Sequence, residues 1–316
     1  MVAARADIGE SKQALAAARA ICKRRHPEFY SATVFLPKVK REAVCAAFTF
    51  CQMIRDAVAP ANALVSGGGQ GCCTPGGAEQ RVAMVREYVE QICRGQFELP
   101  KSEFRNVEQR VIAAMIPIVA RYEISQDLLI EIATGYAAGA STPRFATWTS
   151  LERYCRQSAG ATAVVLAAIL GARHSDAPQH ARQLGVAMRL TGILSNLNAD
   201  FARGVVFLPV EDLARFRYGQ RDLSESRVNE NFRQLMAFEI NRARRLFHDA
   251  SAGIPWLADD GSRLMVATII ATRLRLLDAI ERRGYDVFTR APTLSMAQKL
   301  RCLPGAMRLV RNRTPV

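Results

Sequence analysis

Helical periodicity is the feature of this sequence that most constrains its fold. A strand with one buried face needs alternating apolar and polar residues, whereas an amphipathic helix needs apolar residues at i, i+3, i+4 and i+7. The chain has no alternating run longer than four residues and no internal repeat. We therefore predict one all-α domain over residues 1–316, with helices at about 11–24, 38–57, 78–94, 101–122, 126–138, 149–170, 177–202, 224–251, 257–283 and 295–310.

Three stretches should interrupt these helices. Residues 59–77 are rich in Gly, Pro, Ala and Ser and include Gly67-Gly68-Gly69, which is typical of a mobile loop. Residues 139–143 predict a break between two helices. Pro304-Gly305 predicts an interruption of the last amphipathic segment.

The composition indicates a reduced, cytoplasmic protein. Apolar residues make up 49% of the chain, which is ample for a core, yet no run of about 18 uncharged apolar residues predicts a spanning helix. The N-terminus has no long apolar segment typical of a secretory signal. The eight cysteines include no C-x-x-C pair, so we expect free thiols and no zinc site.

The net charge of +14 predicts an anionic partner, which could be a diphosphate, a nucleic acid or an acidic membrane surface. Nucleic acid is not expected, because the basic residues are scattered and no nucleic-acid motif is present. The basic C-terminal segment, residues 294–316, has no acidic residue. It is either a solvated tail or a site of peripheral membrane contact; its basic residues are Lys299, Arg301, Arg308, Arg311 and Arg313.

The stretch from Met188 to Phe216 combines a helix with an unusual polar side. Read as one straight helix, residues 188–202 bury Leu190, Ile193, Leu194 and Leu197 and place Arg189, Asn196 and Asp200 on the opposite, polar side. Polar groups inside an otherwise apolar helix need solvent, another helix or a ligand as a partner.

This stretch resembles the second aspartate-rich region of squalene and phytoene synthases. Four further segments resemble motifs of the same family in the same order along the chain: Phe29-Tyr30 to Phe35-Leu36-Pro37, Phe48 to Cys51, Phe145 to Gly160, and Gly284 to Ala291. The resemblance implies an isoprenoid-synthase-type helical bundle around a central apolar cavity. It also implies head-to-head joining of two allylic diphosphates, with Mg²⁺ held between carboxylates of two facing helices.

The chain departs from the family at the positions that should bind metal. The family's C-R-x-x-D-D-x-x-D becomes C-Q-M-I-R-D-A-V-A, so Asp56 is kept and Arg55 reverses a charge. In the second motif Asp200 is kept, whereas the family's Gln, Asn and first Asp are replaced by Arg189, Gly192 and Asn196. Arg273 and Gln157 stand where the family carries tyrosines.

These matches give the candidate site residues. Asp56, Asn196 and Asp200 are the catalytic and Mg²⁺-binding candidates. We expect them to bind fewer Mg²⁺ ions than the family's motifs do. Arginines can bind diphosphate oxygens without metal, although any one of them could instead pair with a structural acid. The diphosphate-binding candidates are Arg55, Arg189, Arg273 and Arg290, and the cavity-lining candidates are Tyr30, Ser31, Phe48, Gln52, Gln157 and Gly192.

Three functions are consistent with this pattern. The first is a prenyltransferase that ionises one allylic prenyl diphosphate and transfers the prenyl group to a non-isoprenoid, aromatic acceptor such as a carbazole, as in natural-product pathways. The second is head-to-head condensation of two prenyl diphosphates, as in phytoene or squalene synthases. The third is a non-catalytic protein that keeps the fold.

Overall fold

The computed structural model describes residues 8–58, 77–95, 107–141, 144–202 and 204–312. Within these ranges every regular element is a helix, and the only strand-like contact is an isolated bridge between Arg144 and Val206. The predicted all-α fold is therefore confirmed. The predicted mobile loop at 59–77 lies outside the described residues, apart from Gly77.

The described residues of the first half of the chain form six α-helices. Pro27 occupies the first turn of its helix, where a missing backbone N–H costs nothing. A 3₁₀ turn, Thr33–Phe35, leads into the long third helix, which matches the predicted one. The helices are α1 Ile8–Arg25, α2 Pro27–Ala32, α3 Lys38–Val58, α4 Ala78–Arg94, α5 Val107–Arg121 and α6 Gln126–Ser141.

The described residues from 144 onward form ten α-helices, a 3₁₀ turn at Ile254–Trp256 and a five-residue π-helical turn, Arg156–Gly160, between the first two helices. Asn229 caps the longest of them by accepting a hydrogen bond from the Phe232 N–H at 2.9 Å. The helices are α7 Trp148–Cys155, α8 Ala161–Ile169, α9 Ala177–Ser195, α10 Leu197–Ala202, α11 Val210–Arg215, α12 Gln220–Ser224, α13 Glu230–Ser251, α14 Ser262–Arg282, α15 Met296–Leu300 and α16 Leu303–Asn312.

Helix α9 lies at the centre of the bundle. It packs against α7, α8, α13, α14 and the π-helical turn. Its predicted apolar face is confirmed, because Leu190, Ile193 and Leu194 are fully buried. One hydrophobic cluster extends from Ala14 on α1 to Ala306 on α16.

Small residues let the central helices approach closely. A Cβ atom on Gly135 of α6 would lie 2.7 Å from the carbonyl carbon of Gln157, and one on Gly185 of α9 would lie 2.3 Å from the Ala159 oxygen. The break predicted to start at Gly139 is wrong, since α6 continues to Ser141. Gly139 is needed inside the helix, because its Cβ would lie 2.1 Å from the ring of Tyr154.

The long helix predicted at 177–202 is also wrong, because it divides at Asn196. That residue adopts φ −122° and ψ 21°, and its side-chain amide donates to the Gly192 carbonyl at 2.8 Å. An asparagine side chain that bonds nearby backbone offers an alternative to the helical ladder. The consequence is that Asn196 and Asp200 do not share a polar side: Asn196 is exposed and Asp200 is buried.

The C-terminal segment breaks earlier than predicted. Its two helices are separated at Arg301 and Cys302, and Pro304 lies in the first turn of α16, where it is tolerated. The six cysteines that the structure describes are free thiols, as predicted. Among the described helices, none is both long enough and apolar enough to cross a membrane.

Candidate active site

Arg189 of α9 is a half-buried cation that forms no ion pair with a carboxylate of the described residues. Its Nη2 donates to the hydroxyl of Tyr154 at 2.8 Å, and its guanidinium lies 4.8 Å from the ring centre of Phe207. Its Nε atom is buried and has no hydrogen-bond partner among the described residues, and no described carboxylate forms an ion pair with it. Leaving a buried polar donor unpaired costs about 1–3 kcal/mol. Arg189 therefore keeps an N–H donor that no described group uses.

An aromatic wall holds this arginine. Tyr154 of α7 packs 5.3 Å from Phe145 and 5.7 Å from Phe207, between ring centres. The backbone N–H of Val210 donates to the Phe145 carbonyl, which fixes the segment that carries Phe207 beside α7. Tyr154 and Phe207 lie within the family-like segments Phe145 to Gly160 and Met188 to Phe216, but neither was predicted to be a site residue. Their place in those segments was the available signal.

The pKa values of two buried tyrosines, Tyr136 and Tyr154, are affected by the charges predicted for the site. Burial raises the pKa of Tyr136 on α6 to about 12, while Arg55 and Arg189 both act to lower it. Burial also raises the pKa of Tyr154, against the lowering effect of Arg189, and Asp200 raises it further. Arg189 thus acts on both phenols, Arg55 on Tyr136 and Asp200 on Tyr154. The structure brings Arg55, Arg189 and Asp200 into one region.

Asp56 and Arg55 are engaged with each other on α3. Arg55 donates from Nη2 at 2.7 Å and from Nε at 2.9 Å, both to Oδ1 of Asp56. The acid-pairing alternative considered in the sequence analysis therefore applies to Arg55. Of the two carboxylates kept from the family motifs, Asp56 is partly exposed and already paired with a cation, whereas Asp200 is buried.

The other two candidate arginines lie elsewhere. Arg273 of α14 contacts Glu28 of α2 at 3.5 Å, and Lys299 contacts the second oxygen of Glu28 at 3.0 Å. Burial lowers the pKa of Arg273, and Glu28 partly restores it. Arg290 is exposed. Diphosphate binding by Arg273 and Arg290 stays a prediction.

Gly192 marks open space beside α9. A Cβ atom there would meet nothing within 4 Å, and Gly192 lies one turn after Arg189, on the same side of the helix. Gln52 is buried in α3, and Gln157 is half-buried in the π-helical turn. These placements are consistent with a cavity between α3, the π-helical turn and α9.

The candidates nearest the N-terminus have more ordinary contacts. Phe48 stacks on Phe29 with ring centres 3.8 Å apart. Ser31 is exposed, and its hydroxyl donates to the Glu28 carbonyl at 2.7 Å. Tyr30 is half-buried. A cavity-lining role for Tyr30, Ser31 and Phe48 stays a prediction.

The donor set limits how Mg²⁺ could bind. No group of three His, Cys, Asp or Glu residues in the described ranges could hold a metal ion. The amide nitrogen of Asn196 donates to its own helix, and one oxygen of Asp56 is taken by Arg55. These residues do not fit the family's preformed cluster of ions. Two carboxylates do suit one Mg²⁺ that is completed by phosphate oxygens.

A second arginine provides a contrast with Arg189. Arg242 of α13 lies 2.9 Å from Asp212 and 2.7 Å from Glu239, and both acids are buried. Burial raises the pKa of Glu239 to about 8, Arg242 lowers it, and Asp212 raises it again. This closed ion network ties α11 to α13. It has a structural role and leaves no cation available for a ligand.

A separate cavity of about 460 Å³ lies between α11 and α12. Its lining includes Arg144, Arg217 and Tyr218 and contains none of the predicted site residues. It is therefore not the candidate site.

Comparisons with known proteins agree with this fold and identify the family. The squalene/phytoene synthase family profile matches residues 22–298. The 15-cis-phytoene synthase of Synechococcus elongatus is 28% identical over 301 residues, which cover 92% of this chain and 91% of that protein. The 15-cis-phytoene synthase of Synechocystis sp. is 30% identical over 290 residues, covering 88% and 80%.

Solved structures show the same architecture. A dehydrosqualene synthase superimposes with a TM-score of 0.81 at 21% identity, covering 96% of this chain and 99% of that one. A squalene synthase from Alicyclobacillus acidocaldarius gives a TM-score of 0.73 at 17% identity, with coverage of 88% and 97%. These likenesses concern the fold, and the profile and sequence matches establish the relationship. The chain therefore belongs to the squalene/phytoene synthase family of prenyltransferases.

Proposed function

We propose that this chain ionises an allylic prenyl diphosphate bound at Arg189 and passes the prenyl cation to an acceptor. The observation that carries the proposal is the half-buried guanidinium of Arg189, whose buried Nε has no hydrogen-bond partner among the described residues and whose described hydrogen bond goes to a neutral phenol. The carbon–oxygen bond at C1 breaks, and its electron pair leaves with the diphosphate. A preorganised buried cation stabilises the negative charge that develops on that leaving group.

The wall beside Arg189 suits the other product of ionisation. Phe145, Tyr154 and Phe207 are buried and stacked on one another. An apolar, water-excluding wall protects a carbocation from being quenched by water. The open space beside Gly192 leaves room for a substrate one turn from Arg189. The relatives that match most of the chain are named synthases, which favours an enzyme over a non-catalytic protein that keeps the fold.

For the acceptor, we infer that a second prenyl diphosphate is the first candidate. Relatives that align over about nine tenths of this chain are named phytoene synthases. Head-to-head condensation, the alternative in the sequence analysis, thus has better support than the aromatic acceptor that the sequence analysis placed first.

A non-isoprenoid aromatic acceptor of the carbazole type is the second candidate. One observation favours it: Arg55 holds Asp56, so little negative charge is left in this region to bind Mg²⁺ for a second diphosphate. We include one Mg²⁺ in the proposal, bound by Asp200 and the second oxygen of Asp56 together with phosphate oxygens. When bound, the ion would supply Lewis-acid stabilisation of the leaving group.

Product analysis separates the candidates. The purified chain is incubated with farnesyl or geranylgeranyl diphosphate and Mg²⁺, with and without a hydroxycarbazole, and the extract is examined by mass spectrometry. A hydrocarbon built from two prenyl units would establish head-to-head condensation, whereas a prenylated carbazole would establish the second candidate. If neither product nor pyrophosphate appears under any condition, the proposed function is wrong. Arg189→Met serves as the matched inactive control.

A further inference from the structure

The C-terminal helices expose an unusual amount of apolar surface. Six large hydrophobic side chains are exposed in the described part of the chain, and three of them fall within residues 296–307. These three are Met296, Leu300 and Met307, with exposed fractions of 65%, 61% and 56%. Clustered exposed apolar side chains indicate an interaction surface, whereas isolated ones are normal.

The helical geometry gathers these side chains on outward faces. Met296 and Leu300 lie four residues apart on α15, so they project from the same side. On α16 the exposed positions 304, 307, 308 and 311 follow the i, i+3, i+4, i+7 pattern of one face. The opposite side of α16 packs against the core through Ala306, Leu309 and Val310. The exposed face therefore has no partner within the described chain.

The charge of the same segment has one sign. Residues 287–312 contain five basic residues and no Asp or Glu. Lys299 is paired with Glu28, but Arg301, Arg308 and Arg311 are exposed and form no ion pair with a described carboxylate. Arg301 follows Leu300 and Arg308 follows Met307 in the sequence, and all four are exposed, so cations and apolar side chains are interspersed along this segment.

We propose that α15 and α16 form a docking face for a membrane surface rich in anionic lipid. Apolar side chains flanked by cations are the combination that inserts at the boundary between headgroups and acyl chains. A nucleic acid or another soluble polyanion would be recognised by the arginines alone and would leave Met296, Leu300 and Met307 in water. The apolar side chains are thus the reason for choosing lipid.

The docking face is connected to one of the predicted diphosphate-binding residues, Arg273. Lys299 of α15 shares Glu28 with Arg273 of α14, so the face lies one ion pair away from a diphosphate-binding candidate. Prenyl chains and their condensation products are greasy, and contact with lipid would give them a route that avoids water. This purpose rests on the proposed function, but binding to vesicles does not require catalysis.

Vesicle sedimentation tests the docking face on the full-length chain. Vesicles of phosphatidylcholine alone are compared with an equal mixture of phosphatidylcholine and phosphatidylglycerol, at about 0.1 M and at about 0.5 M salt. We expect binding to the anionic vesicles that weakens at the higher salt. The combined changes Met296→Ser, Leu300→Ser and Met307→Ser should lower the partition coefficient about tenfold or more, because three inserted side chains are lost.

A second variant tests the charge. Arg301→Gln, Arg308→Gln and Arg311→Gln together should also lower binding about tenfold or more, since each basic residue near an anionic surface contributes about a fivefold factor. Val210→Ser and Arg86→Gln, at exposed positions outside this segment, are the matched controls and should bind like the wild type. Circular dichroism checks that every variant is folded.

Three results would overturn the docking face. The first is no binding of the wild type to anionic vesicles, and the second is equal binding to neutral ones. The third is full binding by the serine variant together with competition by heparin, which would identify a site for soluble polyanions. These measurements use no substrate, so their outcome is independent of whether the proposed reaction is correct.

Discussion

Replacing Arg189 by methionine should separate ligand binding from stability. Methionine keeps much of the side-chain volume and removes the charge. Arg242→Met is the matched comparison, because Arg242 is also partly buried but is surrounded by Asp212 and Glu239. Both substitutions remove a guanidinium. In Arg189→Met it is one without a described ion pair, and in Arg242→Met it is one paired with two acids.

The expected magnitudes follow from these contacts. Arg189→Met loses one hydrogen bond to a charged donor, worth about 1.5–3 kcal/mol, and a contact with an aromatic ring worth about 1 kcal/mol. It also removes two costs that the wild type carries. These are the unpaired buried Nε, about 1–3 kcal/mol, and the desolvation of a cation, several kcal/mol. The two sides nearly cancel, so the free energy of unfolding should change by less than about 2 kcal/mol. Arg242→Met should cost about 3 kcal/mol or more, because two buried acids lose their cation.

Two assays on the same proteins test this reasoning. Urea unfolding gives the stability changes, and calorimetry with a non-hydrolysable prenyl thiodiphosphate gives the affinity. Arg189→Met should weaken that affinity by about 2 kcal/mol or more, which is about 30-fold or more. The reasoning is refuted if Arg189→Met destabilises the protein as much as Arg242→Met and leaves the affinity unchanged, because Arg189 would then be a structural residue.

Three further outcomes can be measured. Gly139→Ala should lower the free energy of unfolding by about 2 kcal/mol through its clash with Tyr154, whereas Gly192→Ala should raise it by about 0.5–1 kcal/mol; equal effects in urea unfolding would contradict the packing described. Burial raises the pKa of Glu239 from 4.5 to about 8, so the folded chain holds an extra proton between these values and loses stability as the pH rises through them. Glu239→Gln should remove that slope in unfolding curves measured at several pH values, and an unchanged slope would assign it to other groups. EDTA should slow pyrophosphate release by the wild type, and Asp200→Asn should abolish the response to added Mg²⁺; release unaffected by EDTA would place the whole leaving-group role on arginine.

Much of the fold could be predicted because helix formation here follows local pattern. The apolar spacing of α3 and α4 gave their bounds within one residue, and the buried face of α9 at Leu190, Ile193 and Leu194 was identified from the i, i+3, i+4 rule. The failures have tertiary or side-chain causes. Gly139 resembles a helix breaker until the ring of Tyr154 is placed against it, and Asn196 resembles a helical residue until its amide bonds the Gly192 carbonyl.

The candidate site could be predicted only in part, because motif positions are visible in the sequence and contacts between elements are not. Arg189 and Asp200 were identified as site residues from the motif positions they occupy. The partners of Arg189 were not, because Tyr154 and Phe207 come from different elements and meet it only in the folded chain. Whether Arg55 serves a ligand or an acid could not be decided from sequence, since Asp56 beside it is both a family ligand position and an available partner.

The most direct test of the central claim is pyrophosphate release from geranylgeranyl diphosphate by three proteins: the wild type, Arg189→Met and Arg242→Lys. The last keeps a cation in the structural network and controls for nonspecific loss of an arginine. If the Arg189 cation stabilises the leaving group, the wild type and Arg242→Lys should both release pyrophosphate. The rate of release by Arg189→Met should be lower by about 100-fold or more. Release at the wild-type rate by folded Arg189→Met would contradict the claim that Arg189 binds the diphosphate.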